Sequence, residues 1–93
     1  LTGTEAAAWG AIHTAVPAAE LDGAVAAVVD ALAHGPTVAL GLSKWLLHQG
    51  AALSLEQQLA NEAFAMELSS RTEDFREGLT SFLAKRPPQW TGR

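Results

Sequence analysis

The sequence predicts a mainly α-helical chain of four to five helices joined by short loops, with one N-terminal segment that reads as a short strand. Three observations carry this. Apolar residues recur at helical spacing along most of the chain, cap residues stand at the starts of the periodic stretches, and glycine or proline stands at their ends. The composition agrees, since Ala and Leu dominate while Tyr is absent and only three Phe and three Trp occur.

Taken in order, Thr2-Gly3-Thr4-Glu5 is a capping box that opens a short helix through Trp9, stopped by Gly10. Ala11 to Val16 alternates in part between Gly10 and Pro17 and reads as a strand, although one strand is stable only in a sheet and no second one is evident. From Pro17 to His34 the apolar positions Leu21, Val25, Val28, Val29 and Leu32 mark an amphipathic helix that Gly35 terminates. Pro36 is placed at the first position of the next helix, with Val38, Leu42, Trp45 and Leu46 on one face, Leu40 and Leu47 widening it, and Gly50 as the stop. Ser54 and Gln57 form a second capping box, and Leu55, Leu59, Ala63, Phe64 and Met66 mark a long helix to about Ser70.

The last stretch organises the rest. Thr72 is the N-cap, Glu73 and Asp74 suit the positive end of the helix dipole, and Phe75, Leu79, Phe82 and Leu83 form a stripe that needs a partner surface. Lys85 and Arg86 are read as the cations that close the helix before Pro87-Pro88 forbids its continuation.

Composition excludes several classes. A net charge of −4, a pI near 5.2 and six basic residues are too little cationic surface for a phosphate-backbone binder. The absence of cysteine removes disulfides and thiolate metal sites and fits an expectation of cytoplasmic location. No run approaches about 18 consecutive apolar residues, so no membrane partner is expected. The chain lacks Met at position 1 and is read as a piece of a longer or trimmed protein.

No catalytic constellation emerges from the residues. Glu73 and Glu77 are four apart and could be argued as a carboxylate pair, but solvated helix surface is the better reading. His13, His34 and His48 share no ligand spacing, so no metal site is expected, and His34 and His48 fall at helix C-termini where a cation is favoured. Trp9, Trp45 and Trp90 read as core or interface anchors. Lys85 stands just beyond the aromatic stripe. It is either a solvated helix-end cation with Phe82 in the core, or a point charge for phosphate with Phe82 as a flat apolar contact, which suits the adenosine diphosphate end of coenzyme A.

The order Asp74, Glu77-Gly78, Phe82, Lys85-Arg86, Pro88, Trp90 and Gly92 resembles the C-terminal signature of the enoyl-CoA hydratase/isomerase (crotonase) superfamily. Glu5-Ala6, Gly10, Val16-Pro17, Leu21, Gly35-Pro36, Ala39, Leu40 and Lys44 extend the resemblance over nearly the whole chain. It departs from the family at Ala11 and Ala15, where a larger aliphatic is usual. The resemblance implies that residues 1–17 end a βα core segment and 18–93 form the C-terminal helical region of a crotonase-like fold.

It further implies a parent enzyme acting on acyl-CoA thioesters as a hydratase (lyase) or isomerase, with no covalently bound cofactor. The oxyanion-hole amides and acid/base carboxylates would lie in an N-terminal crotonase core that this chain lacks, so the chain alone is expected to be inactive. Its own work would be to cover the acyl-CoA pocket and to build a homo-oligomer, a trimer or hexamer, with Phe82 and Lys85 contacting the CoA of a neighbouring subunit. The other readings are a stand-alone helical acyl-CoA-binding module and a structural oligomerisation domain without ligand. Calorimetric titration with acyl-CoA separates the first of these, and mass in solution the second.

Overall fold

The first helix, α1 (Gly3–Ala8), starts where the sequence places it. The Thr2 hydroxyl accepts from the Glu5 N–H at 3.2 Å, and the Glu5 carboxylate accepts from the Thr2 N–H at 2.7 Å. It ends in a Schellman motif: Gly10 takes a φ of +73°, its N–H donates to Ala7 O at 3.0 Å, and the Ala11 N–H donates to Ala6 O at 2.9 Å. The computed structural model, which describes residues 1–93, then adds α2 (Leu21–Ala33) after a single 3-10 turn at Ala18–Glu20, α3 (Thr37–Gly50), α4 (Leu55–Ser70) and α5 (Glu73–Leu83). The chain is mainly helical, as expected, and divides into two units, Leu1–Asp30 and Ala31–Arg93.

The expected strand at Ala11 to Val16 does not form. Those residues run as bends and irregular chain, because a strand's backbone groups need a neighbouring ladder and this chain supplies none. Within the first unit this segment instead lies along α2. His13, Thr14, Ala15 and Val16 line an open apolar cleft of about 390 Å³ opposite Leu21, Val25 and Val29.

In the second unit α4 packs against α3, and α5 against α4. Pro36 is the N-cap of α3 and not its first helical residue. Its ψ of 85° is outside the helical region, while its carbonyl accepts the first helical bond from the Leu40 N–H at 3.0 Å. The second capping box holds, with Ser54 accepting from the Gln57 N–H and Gln57 from the Ser54 N–H.

The packing faces differ from the expected ones at α4. Leu55, Leu59, Phe64 and Met66 are exposed, whereas Ala65 is buried and Gln58, Asn61 and Ser69 are half-buried. Gln58 lies against the bare backbone of Gly50 and donates to Leu46 O at 3.2 Å, so a polar side chain occupies the α3–α4 contact. Ala65 is the one buried apolar residue of the chain; the other buried side chains are those of Asp74 and Ser81. Each ordered residue costs roughly 1–2 kcal/mol of backbone entropy, and little apolar burial within the chain offsets it, since Leu21, Val25, Val29 and Leu32 on α2 and Leu55, Leu59 and Phe64 on α4 are exposed.

Gly35, between α2 and α3, is buried, and an added Cβ would stand 2.9 Å from Leu40 Cδ1, 3.2 Å from Ala31 O and 3.4 Å from Leu32 O. Two of those neighbours are backbone and cannot rotate away. Gly35→Ala is therefore expected to destabilise the fold by about 1–3 kcal/mol, read as a lowered midpoint in chemical denaturation. An unchanged midpoint would contradict the packing described here.

Candidate functional site

The C-terminal helix and the ten residues after it form one built structure. Helix α5 starts at its expected cap, with the Thr72 hydroxyl accepting from the Phe75 N–H at 3.0 Å. It ends before the Lys85-Arg86 pair with which the sequence suggests it closes. The last helical residue is Leu83, and Lys85 takes a φ of +51°. The Lys85 N–H donates to Phe82 O at 3.2 Å and the Arg86 N–H to Ser81 O at 3.0 Å, a second Schellman motif with the same bonding as that of α1. The left-handed position held by Gly10 in the first is held by a lysine in the second. Such a conformation costs an L-residue with a Cβ roughly 1–2 kcal/mol relative to its ordinary region.

Both cations thus stand beyond the last turn of the helix, and Arg86 does not act on its dipole. Arg86 precedes Pro87, which steers it away from helical backbone, and its guanidinium turns back to grip Glu77. The grip is bidentate: Nη1 to Oε1 at 2.6 Å and Nη2 to Oε2 at 2.9 Å. Glu77 Oε1 also accepts from the backbone N–H of Gln89 at 2.7 Å. Hydrogen bonding from the Arg86 side chain, then from Gln89, holds the Glu77 carboxyl down at about 2, while Arg86 is raised.

One turn nearer the start of α5, Asp74 is buried and accepts from the Thr91 N–H at 2.7 Å, the Thr91 hydroxyl at 3.2 Å and the Gly92 N–H at 2.9 Å. Its own backbone N–H, unpaired within the helix, donates to Arg93 O at 3.0 Å. The tail thus runs back along α5, held by two carboxylates.

Two glycines permit that return. An added Cβ at Gly78 would stand 3.3 Å from the Trp90 ring, so the bare helix surface there lets the indole lie close. Gly92 has a φ of +80°, and a Cβ on it would stand 3.1 Å from Thr37 Oγ1 at the start of α3. Trp90, Phe75, Leu79 and Phe82 join Pro36 and Ala39 around an open apolar cleft of about 400 Å³. Phe82 is 80% exposed at this cleft, and Leu83 beside it is 77% exposed.

Of the residues singled out from the sequence, Phe82 is in the last turn of α5 and exposed, and Lys85 is in the turn that follows, its backbone N–H donating to Phe82 O. Glu73 and Glu77 do not form a carboxylate pair. Glu77 is bound to Arg86, and Glu73 lies 3.4 Å from Arg93 in an exposed ion pair. No three of the His, Asp and Glu side chains come together in a metal-holding arrangement, and no single helix is long and apolar enough to cross a membrane. The Glu77–Arg86 clamp escaped the sequence reading because nine residues is not a helical interval, and the bonds to Gln89, Thr91 and Gly92 end on backbone N–H groups that any residue carries.

Because Glu77 titrates lower here than its ordinary value of 4.5, its contribution to holding the tail is complete above that value and is lost as pH falls toward about 2. The Gln89 amide resonance is expected to titrate over that acid window and not near 4.5. A midpoint close to 4.5 would show that the carboxylate does not hold the tail in solution.

The chain matches the family model described as enoyl-CoA hydratase/isomerase over residues 1–93. It is 42% identical over 89 residues to a protein of Rhodobacter capsulatus named "Probable enoyl-CoA hydratase", covering 96% of this chain and 35% of that one. It is 37% identical to the 1,2-epoxyphenylacetyl-CoA isomerase of Escherichia coli over all of this chain and 36% of the relative. Among solved structures, the enoyl-CoA hydratases of Geobacillus kaustophilus and Bacillus anthracis superpose with TM-scores of 0.88 and 0.84 at 31% and 28% identity. Each covers 100% of this chain, which spans 35% and 36% of theirs. The chain thus spans about a third of the length of the relatives it matches. With the α5 signature built as described and the match running from end to end, this chain belongs to the enoyl-CoA hydratase/isomerase family.

Proposed function

We propose that this chain serves as the C-terminal helical part of an enzyme acting on acyl-CoA thioesters, with residues 1–17 ending its βα core and 18–93 forming the helical region. In that setting the exposed faces of α2, α4 and α5 cover the acyl-CoA pocket and meet the core and neighbouring subunits of a trimer or hexamer, in the cytoplasm. The chemistry belongs to the rest of the enzyme. There the thioester carbonyl is polarised by two backbone N–H groups and becomes enolate-like while carboxylates move protons or activate water. This chain alone turns over no crotonyl-CoA.

Its direct contribution to substrate is at the end of α5. Phe82 offers an apolar plane and Lys85 a point charge for the adenosine diphosphate end of CoA, on a neighbouring subunit. The observation that carries this reading is the left-handed backbone of Lys85, in a motif where Gly10 shows the unstrained choice. Strain retained by a charged residue at an exposed aromatic is what a binding role supports and a passive turn does not.

The same observation supplies the test. In the full-length protein, Lys85→Ala is expected to raise the KM for crotonyl-CoA about tenfold, near 1.4 kcal/mol, and to leave crotonyl-pantetheine, which lacks the nucleotide, unaffected. Lys85→Gly should show the same loss for crotonyl-CoA while raising stability by roughly 0.4–1 kcal/mol, since glycine relieves the backbone. An unchanged KM for crotonyl-CoA in both variants would remove Lys85 from the substrate contact.

A further inference from the structure

We propose that Glu77 is a positioning residue for coenzyme A binding, its carboxylate clamping Arg86 and the Gln89 N–H so that Lys85 is fixed in its left-handed turn three residues beyond Phe82. This rests on the reading of Lys85 given above and extends it to a group that touches no substrate.

Lys85 is held against its own preference. Its backbone occupies a region that lysine leaves readily, so local preference opposes the observed turn. The two Schellman bonds favour it, but bonds of this kind form as well with glycine and do not by themselves fix a lysine. What distinguishes this turn from that of α1 is the anchorage immediately after it. Arg86 is tied to Glu77 through both guanidinium nitrogens, and its Nη1 also donates to Pro87 O at 3.1 Å. Three residues on, the Gln89 N–H meets the same carboxylate. Glu77 therefore grips the chain on both sides of Pro87-Pro88, a pair with little torsional freedom of its own. Lys85 is thus held between two anchored points, the helix on one side and Arg86 on the other.

Geometry and simple electrostatics make opposite predictions for removing the carboxylate. If Glu77 acted on a bound phosphate only as a nearby negative charge, its neutralisation would strengthen binding and free Arg86 as an additional cation. If it acts by holding the turn, neutralisation lets Lys85 leave its position and binding weakens. The sign of the effect separates the two. Arg86→Lys provides an independent check, because it keeps the net charge but loses the two-pronged fork.

The measurement is steady-state kinetics of the full-length protein with crotonyl-CoA and crotonyl-pantetheine, comparing KM values, which do not depend on how much of each preparation is active. Glu77→Gln and Arg86→Lys are each expected to raise the KM for crotonyl-CoA about three- to tenfold relative to that for crotonyl-pantetheine, and to add little further when combined with Lys85→Ala. A lowered KM for crotonyl-CoA, or equal changes for both substrates, would overturn the positioning role. Should Lys85→Ala itself leave the KM for crotonyl-CoA unchanged, the contact with CoA fails first; an effect of Lys85→Ala without one of Glu77→Gln overturns the inference alone.

Discussion

Two carboxylates on successive turns of α5 hold the C-terminal tail, and the geometry of this end of the chain depends on them. Asp74 and Glu77 spend no hydrogen bonds on their own helix. They accept instead from backbone N–H groups of Gln89, Thr91 and Gly92 that would otherwise be unpaired, since extended chain beside a helix has no ladder to join. Charge-assisted bonds of this type are shorter and stronger than neutral ones, so the carboxylates hold these amides better than water or a neutral acceptor would. The burial of Asp74 is tolerable for the same reason, because its oxygens are satisfied by three donors.

From that clasp follow the positions of the other signature residues. Gly78 is bare where Trp90 returns over the helix, and Gly92 turns with positive φ beside Thr37. Arg86 becomes a partner of α5 in place of a charge at its end. Trp90 completes the wall of the apolar cleft that Phe75, Leu79 and Phe82 begin. The clasp thus converts a polar, proline-containing tail into one side of a cleft whose lining includes the exposed Phe82. That phenyl ring is exposed, as are Leu55, Leu59 and Phe64 on α4.

Local signals were legible in the sequence and long-range ones were not. Thr2, Ser54 and Thr72 announce helix starts because a cap and its N–H lie three residues apart, within any reader's window. Gly10 announces a stop because glycine alone is at ease in the left-handed turn. The corresponding turn at Lys85 carries no such mark, so the sequence suggests a helix that runs past Leu83. Ala11 to Val16 looked like a strand because alternation is a local pattern, while the ladder it requires is not. On α4 the inner face is not legible because Gln58, Asn61 and Ser69 are polar, and the bond that seats Gln58 ends on the backbone carbonyl of Leu46, twelve residues away. The family signature was readable as an order of residues; its meaning as a clasp required the fold.

Hydrogen exchange at the tail amides tests the clasp most directly. In the full-length protein the Gln89, Thr91 and Gly92 amides are expected to exchange far more slowly than unstructured backbone, and to lose that protection together when Asp74 and Glu77 are replaced by their amides. Exchange at the unstructured rate in the unmodified protein would mean that the tail is not held to α5, and the account of Lys85 and Trp90 would fall with it.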